Sequence, residues 1–128
     1  MLFLLFVVIF LLTACAARPS NSQQLTVATH NPTAEEILQH EPDADIFMSG
    51  DIVYRNAKDT KWVQQEKIGS LKGIGEIQSR YDGRGSFENK MATKLPPDTK
   101  LFAASPSTLI IVAEVNGEQI RYLGLVEG

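Results

Sequence analysis

The chain is poor in the residues that most often carry chemistry: one cysteine, two histidines and one tryptophan in 128 residues. With a single cysteine no internal disulfide can form, so a fold must rest on a packed apolar core. His30 and His40 stand ten positions apart and lack the i, i+4 spacing that sets two imidazoles on one helix face, so no metal site is expected. Neither a Gly-x-Ser-x-Gly elbow nor a Gly-Lys-Ser/Thr phosphate loop occurs, and no cofactor is implied. Positive charge is also short. Twelve Lys and Arg against 15 Asp and Glu give a net charge of −3, which argues against nucleic acid, whose binding needs clustered cations.

What is present begins with an unbroken apolar run, MLFLLFVVIFLL over residues 1–12. It is long enough for the core of an export signal and shorter than the roughly 20 residues of a spanning helix. Before it the only positive charge is the terminal amine. Small residues follow at Thr13 and Ala14, then the sole thiol, Cys15. Leu12-Thr13-Ala14-Cys15 resembles the bacterial lipobox. That resemblance implies a diacylglyceryl group on the Cys15 sulfur, acyl chains of the palmitate class, and cleavage that leaves Cys15 as the new N-terminus. The expected organisation is a lipoprotein signal peptide over residues 1–14, a lipidated cysteine and flexible tether over 15–24, and a single small domain over 25–128. Removing the first 14 residues leaves 114, enough for one domain. The alternative is a buried structural cysteine behind an ordinary secretory signal.

Residues 16–24, AARPSNSQQ, are small and polar without apolar periodicity, the composition of a spacer. Leu25-Thr26-Val27 is a candidate edge strand. One helix is expected up to His40, capped either by Asn31 with Pro32 at its first position or by Thr33 with Glu36 three residues on. Pro42 marks its stop. Ile46-Phe47-Met48 and Ile52-Val53-Tyr54 flank Ser49-Gly50-Asp51 as a hairpin. Asn56 is a candidate cap for a second short helix in which Ala57, Trp62 and Val63 share a face. Residues 67–75, with Gly69, Gly73 and Gly75, suggest a loop entering a strand, and Asp82-Gly83-Arg84-Gly85 a turn. The clearest pattern is the last. Two β-rich runs flank Asn116-Gly117, which suits a type I′ turn, and in the return strand Ile120, Tyr122, Gly124 and Val126 share one face. These elements predict an α+β fold: a small, mostly antiparallel sheet with a C-terminal hairpin and two short helices on one face.

The order DIFMSGDIVYRNA, WVQQ, GIGEI, ATKLPPDTKLFA and NGEQIRYLGLVEG resembles a group of small, uncharacterised lipoproteins of Gram-positive bacteria. The resemblance covers about residues 45–128. It implies a shared fold and an envelope location at the outer face of the cell membrane, and carries over no activity or catalytic residue.

Ser86 follows Gly85 in a glycine-rich turn with neither histidine tied to it by any pattern, so turn chemistry is its simplest role. Glu76, Asp82, Glu88 and Asp98 are the candidate carboxylates for an envelope hydrolase, which is the alternative reading. A lobed importer receptor needs a far longer chain. The leading expectation is a non-enzymatic interaction module, held to the membrane by its lipid, with a protein or cell-wall partner. Tyr54, Trp62, Tyr81 and Arg84 are the candidate partner contacts, with Trp62 and Tyr122 as core residues the competing assignment.

Overall fold

A computed structural model describes residues 30–127. The expected signal peptide, Cys15, the expected tether and the candidate strand Leu25-Thr26-Val27 lie outside the described residues. The first element is α1 (Ala34–His40), and of the two capping registers the chain uses Thr33. Its Oγ1 accepts from the Glu36 amide at 3.1 Å while its own amide donates to the Glu36 carboxylate at 3.0 Å. This reciprocal pair satisfies two amides that the first turn leaves without partners.

Strands β1 (Ile46–Ser49) and β2 (Ile52–Asn56) form the expected hairpin. Helix α2 (Lys61–Gln65) has Thr60 at its N-cap with no side-chain bond, and Asn56 instead ends β2. Then come β3 (Ser70–Glu76), β4 (Ser79–Arg80), β5 (Met91–Ala92), β6 (Lys100–Ser105), β7 (Ile110–Val115) and β8 (Glu118–Gly124). The β7–β8 turn is of the expected kind, with φ of 53° at Asn116 and 81° at Gly117. All eight strands lie in one sheet, in the order β3-β6-β7-β8-β2-β1-β5-β4. Every pairing is antiparallel except β4 with β5.

The α+β expectation is therefore corrected. The described chain is mostly sheet, eight mixed strands curled into a half-barrel, with helices of only seven and five residues. The cause lies partly in β3, where Gly73 and Gly75 mark a bulge within a paired strand and not a loop. The remainder is closure. β3 and β4 occupy opposite edges of the sheet yet are separated only by Ile77 and Gln78. Seven strand spacings would put the edges of a flat sheet about 34 Å apart, whereas three residue steps reach about 11 Å at most. The sheet must curl until its edges meet at that corner. Ile77 is held there by its amide on the Thr99 carbonyl at 2.9 Å and by the Asp98 amide on its own carbonyl at 2.8 Å.

Curling separates the side chains into two sets by the period of two along each strand. Phe47, Tyr54, Leu101, Ile111, Ala113 and Tyr122 fill the concave side, with Ile77 and Leu95 closing it. Phe47 stacks on Tyr54 at 5.3 Å and meets the edge of Tyr122 at 5.0 Å. Ile46 and Val53 face the convex side under α1, and Ala104, Ile110 and Val112 face it under α2. The face shared by Tyr122 and Gly124 is the concave one, and β8 is central, paired to β7 and β2. Asp45 brings a carboxylate to the rim of this interior: the Tyr122 hydroxyl donates to its Oδ1 at 2.8 Å, and Asn56 Nδ2 donates to its Oδ2 at 2.9 Å.

Two outcomes follow. A Cβ on Gly124 would stand 2.9 Å from Tyr54 Cε1, so Gly124→Ala is expected to lower stability by about 1–3 kcal/mol in urea unfolding. Tyr122→Phe leaves Asp45 short of a donor and should cost about 1–2 kcal/mol. Burial, and then the Asp45 bond, push the Tyr122 phenol well above its ordinary value of 10.0. Above about pH 10 the unfolded chain loses that proton first, so native stability falls as pH rises, and Tyr122→Phe should flatten this alkaline decline.

Candidate functional site

The site is built where α1 meets the 81–85 loop. Tyr81 follows β4, and its amide donates to the Ala92 carbonyl at 2.9 Å, which fixes the start of the loop on β5. Its ring tilts on Phe87 at 4.8 Å, and its hydroxyl donates to the Gly85 carbonyl at 3.1 Å. Asp82 Oδ1 accepts the Arg84 amide at 2.9 Å, an Asx turn, and Gly83 and Gly85 take φ of 89° and 72°. The loop is then tied to the helix: Glu35 Oε2 accepts the Phe87 amide at 3.0 Å. On the far wall Thr93 Oγ1 donates to the Ala44 carbonyl at 2.7 Å and accepts the Ile46 amide at 3.0 Å. Arg80 Nε donates to the Lys94 carbonyl at 3.3 Å.

Between these walls runs a groove of about 440 Å³. Leu38, Pro42 and Tyr81 give it apolar surface, while Glu35, Gln39, Thr93 and Lys94 supply polar groups. Arg84 is exposed and adjoins Gly83 of the lining. At the start of α1, the Thr33 amide and then His30, whose Nε2 is 3.1 Å from Oε2, hold the Glu36 carboxyl below its ordinary value. The pair is exposed and serves the cap, not the groove.

Comparison with protein-family models, with curated proteins and with solved structures finds no match to this chain. The chemistry must therefore be read from the residues.

The four candidate contacts separate. Tyr81 lines the groove, and Arg84 is exposed beside Gly83 without lining it. Trp62 lies on α2 and is 51% exposed. Tyr54 is corrected: at 8% exposure it is a core residue stacked on Phe47 and offers no contact surface. The shared face expected for Ala57, Trp62 and Val63 is corrected too. α2 begins only at Lys61, and Val63 takes the core position beside Ala57, while Trp62 turns outward. Adjacent helical residues point about 100° apart, so only one of the two can be buried.

Glu76, Asp82, Glu88 and Asp98 line neither this groove nor the cleft at α2. Among the groove residues Glu35 is the sole carboxylate, and it is bound to a backbone amide. The lining contains neither histidine nor serine. Such a surface can hold an apolar side chain against Leu38 and Tyr81 and hydrogen-bond its neighbours through Gln39 and Lys94. Sequence reasoning missed Leu38, Pro42 and Lys94. Leu38 was visible only as a helix position, and Ala92 to Pro96 gave no sign beyond a turn.

Because the capping box sets the pose of α1, Thr33→Ala should fray the helix. The expected cost is about 1 kcal/mol in chemical unfolding, with faster amide exchange over α1 and at Phe87 than in β7 or β8.

Proposed function

We propose that this protein is a lipid-anchored lipoprotein of the extracytoplasmic membrane face, acting as a non-enzymatic interaction module for a protein or cell-wall partner. One observation carries the reading: the only cysteine closes Leu12-Thr13-Ala14-Cys15 directly after an uncharged apolar run. Its thiol is the single group in the chain suited to receive a diacylglyceryl chain. Two buried acyl chains give a stable anchor where one gives a reversible one, at about 0.8 kcal/mol per CH₂.

Binding, and not catalysis, is supported by the composition of the α1 groove. Its walls are fixed by backbone hydrogen bonds on both sides. A partner then orders little of this surface on docking, which keeps the entropic cost of association low. Tyr81 is the natural anchor, a partly buried aromatic whose hydroxyl is already satisfied, and Lys94 is the one cation of the lining.

Cys15→Ser is expected to abolish incorporation of labelled palmitate and to leave the signal uncleaved; unchanged labelling refutes the anchor. Tyr81→Ala should preserve labelling and the far-ultraviolet spectrum while reducing partner capture by cross-linking in intact cells. Equal capture would remove the groove from the interface.

A further inference from the structure

The convex face carries a second surface, at α2, that the partner groove does not use. Its charge is opposite to that of the rest of the domain. Residues 58–71 hold three lysines against two carboxylates, and Arg121, whose guanidinium reaches the end of α2, brings the face to a net of +2, whereas the remainder of residues 30–127 holds seven cations against thirteen carboxylates, a net of −6. Whereas Lys72, the next residue after Leu71 on β3, points to the opposite face of the sheet, Lys58, Lys61 and Lys67 are all exposed. Among them stand two of the large apolar side chains left open to solvent, Trp62 at 51% and Leu71 at 37% exposure.

A groove of about 690 Å³ runs from the end of α2 toward β3 and β8, lined by Gln64, Gln65, Lys67 and Gln119 among others. Trp62 sits one turn before Gln65 and Glu66, hence on the same side of the helix. Arg121 rises from β8 beneath α2. One of its guanidinium nitrogens donates to the carbonyls of Val63 at 2.7 Å and Glu66 at 2.8 Å. The helix end therefore presents neutralised carbonyls and a partly exposed cation in place of free acceptors.

We propose that this α2 face docks onto the anionic headgroups of the bilayer that holds the lipid anchor. The inference rests on the Cys15 reading and adds an orientation to it. Tryptophan has an apolar body and a polar N–H, which places it at the level of the headgroups. Lysines around it are drawn to the negative surface potential of an anionic leaflet over a range of about 10 Å at 0.1 M salt. The chain between the anchor and the domain permits the pose. Residues 15–29 span at most about 50 Å, and a domain of this size is about 30 Å across, so the α2 face can be turned to the bilayer wherever the chain enters.

Trp62 is the only tryptophan, so intrinsic fluorescence reports on this face alone. The native acylated protein is reconstituted in vesicles of phosphatidylglycerol with phosphatidylcholine and, separately, of phosphatidylcholine alone. Emission should shift to the blue, and brominated acyl chains should quench it, only in the anionic vesicles. Both effects should be lost at 1 M salt, where screening acts within about 3 Å. Lys61→Glu with Lys67→Glu should lose them at low salt with the circular dichroism unchanged; if that variant fails to fold, the salt series decides. Protein that floats with both vesicle types and emits identically from each overturns the docking and leaves the anchor standing. Protein that floats with neither overturns the anchor and the docking together. A blue shift produced by soluble polyglutamate, or by raising protein concentration without vesicles, assigns the face to an acidic polymer or a second copy and overturns the proposal.

Discussion

Everything in this fold depends on the two edges of one sheet being joined by Ile77 and Gln78. A chain that places consecutive strands at opposite edges has to bend every strand between them, and the bend decides what each side of the sheet can hold. The concave side is narrow and becomes a dry interior, packed by Phe47, Tyr54 and Tyr122. Gly124 is needed because the curl brings the Tyr54 ring against β8. An interior filled by side chains is a core and not a ligand chamber. Open surface lies instead on the convex side, where α1 and α2 each leave a groove along one flank.

The same constraint explains which parts of the structure were legible in the sequence. The β7–β8 hairpin is written in adjacent residues, since Asn116-Gly117 tolerates positive φ and the flanking runs supply the strands. α1 is equally local, although Asn31 and Thr33 both qualified as its cap and only the reciprocal bonds with Glu36 chose between them. The pairings that close the sheet are not local. β2 meets β8 through Tyr54 and Gly124, and β3 meets β6 through Ser70 and Ser105; no residue type signals such a partner at a distance. Glycines that punctuate β3 imitate a loop until the pairing partner is known.

The site was partly legible for a related reason. Tyr81, which lines the groove, and Arg84, which is exposed beside it, were singled out because a Gly-rich turn advertises itself and puts its neighbours outside. Tyr54 was misplaced because a sheet buried on both faces shows no polar alternation: Val53 goes to the convex side, Tyr54 to the concave side, and the sequence reads as one apolar run. Trp62 is exposed, as a candidate contact must be, and only the face it was expected to share with Val63 differs, because the two are adjacent on a five-residue helix. In each case the missing information was which side of a strand or helix faced the core, a property of the closed sheet and not of the segment.

Curvature also bears on how two surfaces can work at once. α1 covers the β1–β2 end of the convex face and α2 the β6–β8 end, and in a curled sheet the outward directions at two ends diverge. On the proposed reading this geometry separates the tasks: a bilayer under the α2 face does not cover the α1 groove. On the same proposed reading, an acyl anchor also changes what the basic face has to accomplish. A domain already held within one chain length of the surface meets it at a high effective concentration, so a contact too weak to recruit a free protein still selects an orientation. Three exposed lysines and one tryptophan are modest for recruitment, as the overall charge of −3 would suggest. They are sufficient in kind for setting a pose, and a fixed pose is what would keep the Tyr81 groove directed away from the membrane and toward a partner.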